Sequence, residues 1–445
     1  MTTGTLARVP LSGGEPRKVL DDVVDADWSP DGRELAVIRR VGPVGGFYGG
    51  EFQLEYPVGH VVARPVRGSL RVSPRGDRVA VADGSGIAVY DRAGRKTSVL
   101  TPPVAVELAW ASDDSFWVSG GETWRARSLW RAKPGGRPRE VYRVTGVLGI
   151  DDASSDGRLL LYHGFERVRM KAPGGKSERD LEVFAWTWAV DLSADGSRTL
   201  ICEGDSPGRS GARTYVAPTQ GGPSVGLGEG TPLALSPNGA WALVASSGPR
   251  PRLIVTPTGP GESRTILSDR FDWNSNPLFP GPPWFLDEAR LLIHAAGGER
   301  RSQSFLVDLS GGEPRPVTPE GVVAVRGSSG SGAPIGVAAD GTLARYPLQG
   351  GEPQPMPARL PSGTVALRVS GDGRFIFVGR VGMPYRIDRL ELATGRLTAW
   401  KALRPDDLTG ATHILGAALT ADGEAYAYTY GRYFQDLYLV EGLRP

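Results

Sequence analysis

An all-β fold of tandem β-propellers, built from four-stranded antiparallel blades, is what this 445-residue sequence predicts. Three observations lead there. One turn phrase keeps returning: "DADWSPDGRELAVIRR" from Asp25 recurs as "RVSPRGDRVAVAD", "DLSADGSRTLICE", "ALSPNGAWALVAS", "RVSGDGRFIFVGR" and "ALTADGEAYAYTY". Its copies are evenly spaced: Ser29, Ser73, Ala111, Ser154, Ser193 and Ser236 hold the same place in successive units. That spacing is about 40–45 residues, the period of a propeller blade. Composition agrees, since 62 glycines and 37 prolines without a collagen period suit many short strands joined by turns.

Each unit has one grammar. An apolar run such as "TPLAL" reads as the first strand. The Ser-Pro-Asn-Gly or Asp-Gly group then makes a tight turn, because Gly tolerates positive φ and Asp or Asn bonds its own backbone. A second strand follows, as in "WALVASS" or "RLLLYHG", and a third ends at Gly-Gly or a similar turn, as in "RTYVAPTQGG" and "SFLVDLSGG". The fourth is short and often follows Glu-Pro-Arg, as in "EPRKVL", "RPREVY" and "EPRPVT". Proline there fits an outer edge, where no ladder donor is needed. A lone unit leaves both faces wet, and stacking against neighbours buries them.

First strands are expected near residues 24, 68, 104, 147, 188, 231, 282, 322, 363 and 413, about ten blades in total. The units from Trp284 and Val325 are degenerate, and the tenth has only three strands, ending at "DLYLVEGLRP". The chain opens on a third strand, "TLARVPL", and a fourth, "PRKVL". Its length exceeds the single-core limit of roughly 250–300 residues, so two rings are expected. Residues 1–176 form an incomplete N-terminal ring and residues 177–445 a six-bladed C-terminal ring, closed if "ERDLEVFAW" completes the blade that "DLYLVEGL" ends. Four blades and a stub fit a chain that starts inside a longer architecture.

Several function classes fall away. A net charge of +2 gives no electrostatic case for nucleic acid. Cys202 is the only cysteine, which rules out an internal disulfide and a cysteine-based metal site. No signal peptide is readable at "MTTGTLARVPLSGG", and no run of about 18 apolar residues spans a membrane. "GDSPG", residues 204–208, matches the hydrolase elbow Gly-x-Ser-x-Gly, but it sits in a polar loop with no helix after it. "DADWSPDG" alternates carboxylates like a calcium loop, yet Pro30 and Ala36 stand where Gly and Glu are required. Asp31 is better read as shaping the turn and Asp27 as accepting backbone amides. His60, His163, His294 and His413 show no zinc spacing and read as ordinary hydrogen-bonded residues. No cofactor, metal or catalytic residue is expected.

The aromatics divide. Trp28 and Trp110, just before turns, and Trp186, Trp188, Trp241 and Trp400 are expected to pack between blades. Two long loops interrupt the repeat, "RVGPVGGFYGGEFQLEY" from Arg40 and "RFDWNSNPLFPGPPWF" from Arg270. Long loops on a rigid scaffold often carry binding, so Phe47, Tyr48, Trp273, Asn274 and Asn276 are the candidate partner-binding residues.

At "WSPDGRELAVIR", "LSGGEPR" and "DLYLVEGL" the sequence resembles WD40-like, TolB-type propeller repeats. More narrowly it resembles the C-terminal propeller region of bacterial transmembrane Ser/Thr protein kinases of the kind found in Acidobacteria. The kinase motifs are absent: no Gly-rich loop, no Val-Ala-x-Lys, no His-Arg-Asp, no Asp-Phe-Gly. The resemblance therefore implies a fold and a sensor role, with no catalytic residue. The expected function is a non-enzymatic, monomeric scaffold for a protein, peptide or small-ligand partner. It would be extracytoplasmic if it belongs to a membrane-anchored receptor. A lyase or hydrolase with its site in the channel, and a fragment without independent function, are the rival readings.

Overall fold

In the computed structural model the described residues are 4–41, 51–83, 86–99, 104–121, 128–133, 136–173, 178–181, 184, 186–204, 211–247, 252–267, 272–273, 283–296, 302–327 and 332–443. Among them no residue is helical. The strands form nine sheets, six of four strands and three of five. In chain order the first three sheets cover residues 4–63, 69–99 and 104–143, and the fifth to ninth cover 187–229, 231–267, 272–316, 322–359 and 365–403. Within each, strands pair antiparallel with their sequence neighbours, except that in the seventh Asp272–Trp273 and Trp284–Phe285 both pair with Arg290–Ala296. All ten predicted first strands are present. There are nine sheets because the fourth and tenth units share one, in the order Val147–Ala153, Leu159–Pro173, Tyr426–Val440, Ala411–Leu419.

The recurring phrase makes one hairpin. In five units the hydroxyl of Ser29, Ser193, Ser236, Ser370 or Thr420 donates to the Asp or Asn two residues on, at 2.5–2.8 Å. The same oxygen accepts the amide five residues on. Both strand ends are thus satisfied by one side chain. Glycine closes each turn with φ of 67–79° at Gly32, Gly196, Gly239, Gly373 and Gly423, a region that side-chain-bearing residues rarely enter.

The molecule divides into two compact units. One comprises residues 1–166 with 434–445, and the other residues 167–433. Each fifteen-residue strand of the fourth sheet therefore serves both. Residues 159–166 pair with Val147–Ala153 in the first unit, while Lys171–Pro173 pair with Glu178–Asp180 in the second. Residues 426–432 pair with Ala411–Leu419 in the second unit, and residues 434–440 belong to the first. The expected partnership differs in detail: of "ERDLEVFAW", Glu178–Asp180 pair with residues 171–173 and so join the sheet that holds residues 426–432, while residues 434–440 of the same long strand fall in the first unit. The spacing of turns cannot reveal this, because a strand that changes neighbours halfway leaves the repeat period intact. The opening differs too. "PRKVL" and the first strand after it run on as one strand, Arg17–Trp28, pairing first with Gly4–Arg8 and then with Leu35–Val41.

Cores lie between consecutive sheets. Leu233, Leu243 and Val255 of the sixth sheet pack on Trp284, Leu291 and Leu306 of the seventh. Ile335 and Leu343 of the eighth pack on Ile376 and Val378 of the ninth. Trp110 and Trp188 are buried as expected, and Trp110 donates from Nε1 to the Arg71 carbonyl of the preceding sheet at 3.0 Å. Trp28 is not buried: it is 52% exposed. The first sheet has no sheet before it among the described residues, so Trp28 lacks the neighbour that covers Trp110.

Candidate functional site

First strands are joined across sheets by side chains that accept backbone amides one repeat away. In the first unit Asp25 accepts from Leu70, Asp27 from Val72, both at 2.8 Å, and Glu107 from Ile150 at 3.3 Å. Burial raises Asp27 above the usual carboxylate range, against the pull of the Val72 amide and the Arg71 charge. Arg71 extends past its own sheet to the Asp151 carbonyl, with Nη2 at 2.8 Å, and stands 3.7 Å from Asp25. Asp31 bonds Ser29 and the Arg33 amide within the turn, as its position in the phrase suggests.

The second unit carries a different balance. Asp191, on Thr187–Leu192, is buried. Its Oδ1 accepts the Leu192 amide at 2.6 Å and its Oδ2 the Leu235 amide at 2.7 Å. The same Oδ2 pairs with the guanidinium of Arg326, which follows strand Val322–Val325 of the eighth sheet. Next to it Arg368, on Val365–Val369, is only 6% exposed. Arg368 donates from Nη1 to the Leu419 carbonyl at 3.0 Å, and the Arg326 carbonyl accepts the Val369 amide at 2.7 Å. The buried Nε–H of Arg368 has no partner among the described residues.

Arg326 thus pairs directly with Asp191, whereas Arg368, bonded to a carbonyl, feels the charges of Asp191 and Asp422 only across space. Burial draws Arg368 down to about 9, the Arg326 charge adds to this, and Asp191 and Asp422 oppose it. The group stays cationic at neutral pH. A buried charge without an equal partner costs several kcal/mol, and an unpaired N–H in the same place adds to that. An anion placed against Arg368 would offset both. The arrangement can bind a carboxylate or similar anion, but it offers no nucleophile and no acid–base pair.

The sequence-predicted site residues are not part of this cluster. Phe47, Tyr48, Asn274 and Asn276 lie outside the described residues, as does Ser206 of "GDSPG". Trp273 has its backbone in the short strand Asp272–Trp273, paired with Ala295 and Ala296. The histidines are dispersed. His60 and His163 contact backbone carbonyls, while His294 is buried against Ser304 and held neutral, its pKa pushed down to about 3 by burial. Among the described residues no three His, Cys, Asp or Glu side chains gather to hold a metal ion, and no helix is long and apolar enough to cross a membrane. A sequence signal for the cluster did exist. "AVDL" and "ALRV" each put one charge into an otherwise apolar first strand, and "VVAVR" puts one directly after it, and a charge there must find a partner inside.

Among proteins of known structure the chain is similar to TolB from Acinetobacter baumannii, at 15% identity and a TM-score of 0.25. That match covers 58% of this chain and 61% of that one. A putative TolB from Agrobacterium tumefaciens matches at 11% identity and a TM-score of 0.31, covering 76% of this chain and 92% of that one. The β-propeller domain of the trilobed protease from Pyrococcus furiosus matches at 14% identity and a TM-score of 0.25, covering 67% and 97%. No family model matches, and no curated protein matches.

Proposed function

We propose that the second unit closes into a six-bladed ring, and that the chain is a non-enzymatic propeller scaffold. Its channel would hold an acidic group of a protein or peptide partner. Strand neighbours support closure: Thr187–Leu192 lies against both Thr231–Leu235 and Ala411–Leu419, and Val322–Val325 and Ala411–Leu419 both lie against Val365–Val369. So does the reach of Arg326 to Asp191. Their sheets are the fifth and the eighth, and a closed round of six would bring these two across a common axis.

The observation that carries the binding reading is the surplus guanidinium of Arg368, buried and short of one acceptor. Anionic side chains or a chain-terminal carboxylate fit it, since Arg is a planar donor fork matched to carboxylates. Fluorescence anisotropy with a labelled Glu-rich hexapeptide and its Gln counterpart tests this. The Glu peptide is expected to bind, the Gln peptide to bind at least about tenfold more weakly, and Arg368→Met to abolish the difference. Equal binding of both peptides, or none, overturns the reading. Because Met replaces an incompletely paired buried charge, Arg368→Met should also melt at or above the wild-type temperature.

The same reading makes the chain the sensory part of a kinase-linked receptor, supported by the resemblance of "WSPDGRELAVIR" and "DLYLVEGL" to such propellers. An in-frame kinase and membrane helix encoded upstream of Met1 is the expected genomic finding. An unrelated gene there removes that part of the reading.

A further inference from the structure

Among the described residues the first unit contains a third strand without a fourth. In every other sheet the third strand carries one: Val61–Ala63, Lys96–Val99, Arg139–Arg143, Val225–Glu229, Arg264–Leu267, Arg315–Pro316, Gln354–Arg359 and Leu397–Leu403. In the second-unit part of the fourth sheet, Glu178–Asp180 plays that role. Residues 434–440 are the exception. They lie against the strand through Gly164, where the Phe434 carbonyl would stand 2.6 Å from an added Cβ. On their other side no described strand pairs with them, because Ala411–Leu419 reaches only as far as Arg432. The strand is also apolar and open to solvent: Leu437 is 63% and Leu439 59% exposed, with Phe434 and Tyr438 nearly half exposed. Unpaired edges of this kind are normally blunted by charge, proline or a covering segment. This one has none of those except Asp436.

We propose that residues 434–440 are a β-augmentation site that takes an extended segment of a partner polypeptide as the missing fourth strand. The chain's own fourth strands describe the chemistry of that occupant. They are short, and four of them, those starting at Lys96, Arg139, Arg264 and Arg315, begin with a basic residue. The open edge is complementary, with Asp436 in the strand, Glu441 just beyond it, and leucines exposed alongside. Main-chain hydrogen bonds would give affinity, and the Leu437 and Leu439 side chains would select apolar residues at alternate positions. This site lies in the first unit and stands or falls independently of the anion reading above.

The test uses the whole chain and a labelled peptide of sequence "RPREVYR", residues 137–143, as the probe. Anisotropy should show saturable binding, and hydrogen exchange should show new amide protection confined to residues 434–440. Leu437→Lys, with unchanged circular dichroism, should weaken the peptide by at least about tenfold, since charge on an edge strand opposes pairing. Should that variant misfold, a peptide with proline at its centre serves instead and should not bind. A folded chain that leaves the peptide free at millimolar concentration overturns the proposal. So does a chain whose strand 434–440 is already protected in a concentration-dependent dimer, which would make a second copy the occupant.

Discussion

Asp191 shows how much rests on single polar atoms in this chain. It answers two backbone amides and one guanidinium from a buried position. Asp191→Asn keeps the shape but takes from Arg326 the carboxylate it pairs with, leaving it beside Arg368. A loss of about 3 kcal/mol in urea unfolding is expected, the scale for breaking a buried pair from one side. Tyrosines give a second residue-level case. Tyr426 and Tyr428 donate to the two oxygens of Glu178 at 2.8 and 2.6 Å, and Tyr430 donates to Asp180 at 2.9 Å. Burial raises all three phenols, and the carboxylates raise them further; Tyr430 reaches about 12 despite Arg432. The folded state thus favours the protonated phenols. Their contribution is complete below the unfolded value of about 10 and is lost as pH rises through the folded values. Melting temperature should therefore hold steady to about pH 10 and then fall, with Tyr428→Phe flattening the alkaline drop. At neutral pH that variant should cost about 1.5 kcal/mol, the lower end for a bond to a charged acceptor.

At the scale of the element, the hairpin turn was the most legible part of the sequence. Ser or Thr, Asp or Asn, and Gly at fixed offsets have one physical solution, and Ser370 with Asp372 and Gly373 adopts it as Ser29 with Asp31 and Gly32 does. Ser370→Ala removes the acceptor of the Phe375 amide and should cost about 1 kcal/mol by chemical denaturation. The pairing of long strands was not legible. The sequence reads Leu159–Pro173 and Tyr426–Val440 each as a second strand followed by a third, whereas each is one continuous strand, and nothing local says that it runs on and changes partner midway. Gly164 carries the only local hint. A side chain there would meet the Phe434 carbonyl and the Gln435 side chain, so glycine marks the close approach. Gly164→Val should destabilise the first unit and raise exchange at residues 159–166, measurable amide by amide. The charged cluster was hidden for a related reason. Asp191, Arg326 and Arg368 come from three sheets, and only the placement of those sheets brings them together.

At the scale of the whole molecule, the ten repeats predicted an all-β array, and nine sheets carry it. What repetition could not convey was ownership, because the units do not divide the chain at one point: residues 434–445 belong with residues 1–166. Truncation at residue 425 is accordingly expected to damage both units, removing a strand from each, and limited proteolysis should find both sensitised. This division has a consequence during synthesis. Of the two units, the one whose sheets emerge earlier from the ribosome cannot be finished until residues 434–440 are made. At roughly 5–20 residues per second that is a wait of tens of seconds, during which Leu159–Pro173 is exposed along an edge and open to mispairing. A nascent chain of this topology has reason to depend on a holding chaperone until residues 434–440 have emerged.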